Sequence, residues 1–139
     1  MTPAEIKLVQ RTFWQVAPHV DWLAELFYER LFAARPDYRR LFKPDAAAQR
    51  DKLMATLGAV VSGLDRLDRI LPSLAEMGRR HTGYGVQPAD YAPVGTALLD
   101  ALATVLGRDF TPEVRSAWTQ AYGALADALI EGARQPTPA

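Results

Sequence analysis

The segment that decides the fold is LDRILPSLAEMGRRH, residues 67–81, which ends in a histidine. Its apolar residues recur three or four positions apart and the histidine continues the series: Leu67, Ile70, Leu74, Met77 and His81. This spacing places all five on one face of an α-helix. A histidine on such a face is most often a core residue bonded to a backbone carbonyl, so periodicity alone makes metal ligation the minority interpretation.

The rest of the chain has the same helical periodicity, and prolines and glycines separate the segments. The predicted helices start at Thr2-Pro3, Val20, Pro36 (a short turn of helix), Asp45, Leu67, Pro88 and Thr111-Pro112. In the second helix, Trp22, Leu26, Tyr28 and Phe32 widen an apolar face made by Leu23, Phe27 and Leu31. The sequence predicts an all-α domain over residues 1–133 and a disordered tail at 134–139.

Composition excludes several classes of function. The 139 residues suit one domain, and sixteen basic side chains balance sixteen acidic ones, so no net field favours nucleic acid. The absence of cysteine excludes disulfides, zinc-thiolate and iron–sulfur sites, and thioether attachment of a haem. The N-terminus has no apolar stretch for a signal peptide or a membrane span, so we expect a cytoplasmic protein. The sequence also lacks HExxH, P-loop and dinucleotide-binding motifs.

Two polar side chains, Gln49 and His81, stand on apolar stripes of two different helices. A single imidazole cannot build a zinc site, but it can supply one axial bond to a metal whose other ligands come from a macrocycle. A porphyrin would need a dry apolar slot. Its walls could come from residues that are individually more often ordinary core, namely Phe42, Leu53, Leu57, Met77, Val86, Val94 and Leu98.

Tyr28 needs a partner for its hydroxyl because its neighbours on the helix are apolar. One interpretation is a ligand held jointly with Gln49. The other is a hydroxyl that reaches the surface or a helix carbonyl, and the residues alone leave both open.

These residues occur in ordered strings that resemble the globins, in particular single-domain bacterial globins and the globin part of flavohaemoglobins. Two of the strings, GRRH and AWTQAYG, also resemble neuroglobin. The resemblance covers nearly the whole chain, and its strings are LFYERLF (26–32), RRLF (39–42), QRDKLM (49–54), GRRH (78–81), YGV (84–86) and AWTQAYG (117–123).

The resemblance implies the three-on-three helical globin fold around a non-covalent haem b. It assigns His81 as the proximal iron ligand and places Phe42 against the haem. Gln49 and Leu53 take the two distal positions, and Tyr28 takes the distal tyrosine position. The Tyr and Gln pair is typical of the flavohaemoglobin-like group, in which both side chains hydrogen-bond the oxygen ligand.

In flavohaemoglobins a tyrosine and a glutamate support the proximal histidine, and here the resemblance is incomplete. Tyr91 matches the tyrosine, but the glutamate position falls at Ala133, with Glu131 two residues earlier. We therefore expect no strong charged relay behind His81, and hence a site less disposed to activate peroxide. Lys52, Arg79 and Arg80 either pair with the haem propionates or form a solvated charged face.

The main functional interpretation is a globin that binds dioxygen reversibly and tightly, for storage, transport or scavenging. The second is a nitric oxide dioxygenase that depends on an external reductase, because this chain has no flavin or nicotinamide domain. The third is a haem-based gas sensor or a helical interaction domain without haem. We expect dioxygen and nitric oxide as small partners, no nucleic acid and no membrane, and a monomer or weak homo-oligomer.

Overall fold

The computed structural model describes residues 1–41, 46–83 and 86–134, with the backbone alone for 40, 41, 46–50 and 83. This part of the chain contains helices and no strand. The α-helices are α1 (Pro3–Val16), α2 (Val20–Ala34), α3 (Ala46–Ser62), α4 (Leu67–Gly83), α5 (Tyr91–Leu106) and α6 (Pro112–Arg134). Short 3-10 helices cover Ala17–His19, Pro36–Leu41, Leu64–Arg66, Pro88–Asp90 and Gly107–Asp109. The all-α prediction is confirmed, and α6 includes Arg134, where the predicted tail begins.

Threonine side chains start the first and last helices. At α1 the backbone N–H of Glu5 donates to Thr2 Oγ1 (3.2 Å), and the Thr2 N–H donates to Glu5 Oε1 (2.9 Å). At α6 the N–H of Val114 donates to Thr111 Oγ1 (3.2 Å). Each bond satisfies an N–H group that the helix itself leaves without an acceptor, which is why both predicted starts are confirmed.

Pro72 lies inside α4, whereas the other prolines that the structure describes lie in the first turn of a helix. A proline has no N–H to donate to the carbonyl four residues earlier, which is that of Asp68. Both Asp68 and Pro72 are exposed, so water can satisfy that carbonyl. The apolar stripe that leads to His81 therefore continues past a proline.

The core consists of one large cluster and a smaller one beneath α4. The large cluster joins α1, α2, α3, α5 and α6 through side chains that include Val9, Val16, Leu23, Phe27, Leu31, Leu57, Leu98, Leu102 and Trp118. The smaller cluster contains Val60, Leu74 and Leu129, with Met77 packed against it. Trp22 was predicted on the apolar face of α2 but is 46% exposed, because it lies beside the face that Leu23 buries.

Thr12 is a buried polar residue that the apolar pattern does not reveal. The indole Nε1 of Trp118, which is 2% exposed, donates to Thr12 Oγ1 at 2.8 Å. Thr12 Oγ1 in turn lies 2.7 Å from the carbonyl of Leu8. The hydroxyl thus joins α6 to α1 and gives the largest buried aromatic a hydrogen-bond acceptor.

Two glycines let α4 and α6 approach until their backbones touch. A Cβ at Gly78 would lie 1.9 Å from the carbonyl oxygen of Leu129, and a Cβ at Gly132 would lie 2.3 Å from the Cα of Ala75. These positions exclude any larger side chain unless the helices move apart. The crossing therefore fixes the last turn of α4, which carries His81, against the C-terminal half of α6.

Among the described residues, no helix combines the length and the apolar character needed to cross a bilayer.

Replacing Gly78 with alanine should lower the free energy of unfolding by about 2–3 kcal/mol, because the new methyl group overlaps a backbone carbonyl that cannot rotate away. Gly123→Ala is the control: nothing lies within 4 Å of its added Cβ, so helix propensity should raise stability by up to about 1 kcal/mol. Urea unfolding followed by circular dichroism measures both. Equal effects at the two positions would contradict the close crossing.

Candidate functional site

His81 lies in the last turn of α4 with its ring half-buried. Its Nδ1 is 2.7 Å from the backbone carbonyl oxygen of Met77, one turn earlier. A carbonyl only accepts hydrogen bonds, so this contact requires the proton on Nδ1. Nε2 then carries the lone pair of the neutral imidazole, which is the group that binds a metal.

The donor set around His81 fits a metal held by a macrocycle. The described residues contain no group of three His, Cys, Asp or Glu side chains that could hold a metal ion. One correctly protonated imidazole is the ligand that a haem iron takes from the protein, since the porphyrin supplies four nitrogens. The residues present therefore fit the predicted cofactor.

Val86, the first described residue after α4, is hydrogen-bonded to His81. The backbone N–H of Val86 donates to the carbonyl oxygen of His81 at 3.0 Å, which satisfies a carbonyl at the helix end. Val86, a predicted wall residue, is half-buried. Residues 84 and 85 of the matching string lie outside the described residues.

Tyr28 is half-buried on α2 between two phenylalanines. Its ring stacks on Phe32 with centroids 5.8 Å apart and meets the edge of Phe27 at 5.2 Å. These contacts restrict the ring, so the direction of the hydroxyl is set largely by α2.

The large core cluster contains or contacts Tyr28 and four predicted wall residues on two other helices. Leu57 on α3 and Leu98 on α5 are buried within that cluster, whereas Leu53 on α3 and Val94 on α5 are half-buried and pack against it, as Tyr28 does. That these residues line a haem pocket stays a prediction. Phe42 lies outside the described residues. Gln49 lies in α3, but its side chain is also outside them.

A second tyrosine fixes the start of α5. The hydroxyl of Tyr122 donates to the carbonyl oxygen of Tyr91 at 2.6 Å. Burial raises the pKa of Tyr122, so its hydroxyl stays a donor at ordinary pH. Gly95 makes room for the ring, since a Cβ there would lie 2.5 Å from it.

A cavity of about 220 Å³ lies beside Tyr91. It lies between the segment after α4 and the end of α6, and its walls are Thr82, Val86, Gln87, Pro88, Tyr91, Ile130, Ala133 and Arg134. Ala133 supplies only a methyl group here. Glu131 is exposed and is not part of these walls.

The cationic residues near the site divide into two kinds. Lys52 and Arg80 are exposed, as propionate partners or solvated charges would be. Arg79 instead pairs with Glu76 at 2.8 Å and lies 3.4 Å from the carbonyl oxygen of Gly132. Arg79 therefore joins α4 to α6 across their crossing, and its pairing with a propionate stays one of two predicted alternatives.

Comparison with known proteins gives a consistent family. The Globin family model matches residues 25–129. The chain is 31% identical over 128 residues to a flavohemoprotein of Bacillus subtilis, covering 90% of this chain and 32% of that protein. It is 33% identical over 133 residues to a flavohemoprotein of Bordetella parapertussis, covering 94% and 33%. The chain thus spans about a third of the length of the curated relatives that it matches.

Two solved structures share the fold. An engineered carbene transferase, derived from a candidate nitric oxide dioxygenase of Rhodothermus marinus, superposes with a TM-score of 0.85 at 28% identity. The match covers 96% of this chain and 93% of that one. A flavohemoglobin of Malassezia yamatoensis with bound FAD and heme gives a TM-score of 0.81 at 26% identity, over 96% of this chain and 37% of that one.

Proposed function

Because the chain belongs to the globin family, we propose that it holds haem b without a covalent bond and binds dioxygen reversibly and with high affinity. The observation that carries this proposal is the hydrogen bond from His81 Nδ1 to the Met77 carbonyl. It prepares Nε2 as a neutral axial ligand. Bound haem supplies the ferrous iron at which dioxygen binds.

The distal residues determine how tightly dioxygen is held in this proposal. Tyr28 and Gln49 donate hydrogen bonds to the ligand, and Leu53 closes the apolar wall beside them. Donors aimed at a ligand that carries partial negative charge slow its dissociation. The rings of Phe27 and Phe32 support the role of Tyr28, because they hold its ring and so limit where its hydroxyl oxygen can lie.

The second candidate is nitric oxide dioxygenase activity, which consumes one nitric oxide, one dioxygen and one electron for each nitrate formed. It is favoured by the similarity to flavohemoproteins and by the fold of the Rhodothermus marinus protein. Turnover would need a reductase to supply this electron. The neutral Met77 carbonyl as the acceptor of the His81 Nδ1–H favours reversible binding as the principal activity.

Haem binding tests the main proposal directly. Addition of haem to the purified protein should produce a Soret band, and His81→Ala should change its position or abolish it because the axial bond is lost. His19→Ala is the matched control, since this other histidine is exposed and should leave the spectrum unchanged. A wild-type protein without a Soret band, or a His81→Ala variant with the wild-type spectrum, would refute the proposal.

The distal assignment predicts faster release of dioxygen. Tyr28→Phe and Gln49→Leu should each raise the dissociation rate by about tenfold to a hundredfold, the usual effect of losing a hydrogen bond to a charged group. Stopped-flow displacement of dioxygen by carbon monoxide measures the rate. Thr12→Val removes a hydroxyl from a different part of the core and should leave the rate unchanged. Wild-type rates in both distal variants would remove the assignment.

The two candidate functions differ in turnover. The protein saturated with dioxygen should convert about one equivalent of nitric oxide to nitrate and then stop, because the electron it contributes is not replaced. Nitrate analysis after repeated additions of nitric oxide, with and without an added flavin reductase and NADH, measures this. Sustained turnover of the chain alone would contradict the need for a partner.

A further inference from the structure

Tyr38 makes a partly buried hydrogen bond between two short helices that are far apart in sequence. Its hydroxyl, on the 3-10 helix Pro36–Leu41, donates to Asp90 Oδ1 at 2.8 Å. Tyr38 is only 3% exposed and Asp90 is half-buried. Asp90 ends the 3-10 helix Pro88–Asp90, and its Oδ2 accepts the backbone N–H of Gln87 at 2.8 Å. One carboxylate therefore ties the first short helix to the segment around the second.

Both short helices adjoin segments assigned to the haem pocket. Tyr38 lies four residues before Phe42, which is expected to pack on the haem. Gln87 directly follows Val86, whose N–H is bonded to the carbonyl of His81. The Tyr38–Asp90 bond thus connects the short helix that precedes Phe42 with the segment that follows His81 and Val86.

The chemistry of the pair makes the bond persistent. A phenol that donates to a carboxylate makes a charge-assisted hydrogen bond, stronger than one between neutral groups. Burial, with the neighbouring Asp90 carboxylate, raises the pKa of Tyr38 to about 12, so the hydroxyl keeps its proton at physiological pH.

Arg35 covers the outer side of the Tyr38 ring. Its guanidinium carbon lies 4.3 Å from the ring centroid, and it forms two hydrogen bonds with Asp37, at 3.0 and 2.8 Å. The Arg35–Asp37 pair is itself exposed and contributes little alone. The Arg35 guanidinium does pack on the face of the Tyr38 ring, which helps to hold the ring in place.

We propose that Tyr38 and Asp90 are positioning residues that lock together the two segments flanking the haem pocket and thereby slow the loss of haem. This inference rests on the proposed haem binding at His81. Without the bond, the segment before Phe42 and the segment after Val86 would separate more readily, and haem would leave through the wider opening.

Haem dissociation from the holoprotein tests the inference. Ferric haem is transferred to an excess of an apoglobin of higher haem affinity, and the transfer is followed in the Soret region. Tyr38→Phe and Asp90→Ala should each increase the rate of haem loss by about tenfold, as expected for one partly buried hydrogen bond to a charged group. The double variant should lose haem no faster than the faster single variant, because all three lack the same bond.

Thr12→Val separates this role from general stability. It removes the acceptor of the buried Trp118 Nε1 hydrogen bond and should lower stability to urea, yet change the rate of haem loss by less than about twofold. A second readout is the proton NMR spectrum of the ferric haem methyl groups, which should shift in Tyr38→Phe and Asp90→Ala but not in Thr12→Val.

The outcomes distinguish the two proposals. If wild type and Thr12→Val retain haem while Tyr38→Phe and Asp90→Ala lose it no faster, the positioning role is wrong and haem binding stands. If haem loss in all the variants follows their loss of stability alone, the positioning role is also wrong. If the wild-type protein takes up no haem, both proposals fail. Should Tyr38→Phe not fold, Asp90→Ala with an intact Tyr38 gives the same test.

Discussion

The hydrogen bond from His81 Nδ1 to the carbonyl of Met77 is the constraint on which the rest of the site depends. This bond selects the tautomer and orients the ring. It lies in a helix whose position is fixed, because Gly78 packs α4 directly against the backbone of α6. The same turn of helix thus carries the acceptor, the close contact and the histidine. A change in the crossing of α4 with α6 would move all three together.

Much of the fold can be predicted from the sequence because local chemistry determines it. Thr2 and Thr111 cap helices by bonding N–H groups three residues away, and the apolar spacing through His81 identifies a buried face without any knowledge of its partner. The globin strings then identify the fold, which the family match and the solved structures confirm. The prediction fails at Trp22, which is 46% exposed. The hydrophobicity of a residue does not show whether another helix packs over it.

The features that the sequence does not predict all depend on contacts between distant segments. Thr12 meets Trp118 across 106 positions and Tyr38 meets Asp90 across 52, and in each case a polar side chain has its role only through a partner on another element. Arg79 is similar: its sequence position near His81 does not reveal its contact with the Gly132 carbonyl on α6. A residue near the site in sequence can therefore stabilise the fold, and a residue far from the site in sequence can stabilise the site.

The proximal side supports one chemical conclusion. A histidine gains basicity when its Nδ1–H is bonded to a carboxylate, and less when the acceptor is a neutral carbonyl, as Met77 provides here. The cavity beside Tyr91 is bordered by the methyl group of Ala133, while the carboxylate of Glu131 is exposed on another side of α6. The acceptor on His81 Nδ1 thus adds no negative charge to the ring. Because cleavage of an oxygen–oxygen bond benefits from electron density donated through the axial ligand, a neutral acceptor on Nδ1 favours the proposed holding of dioxygen over its reduction.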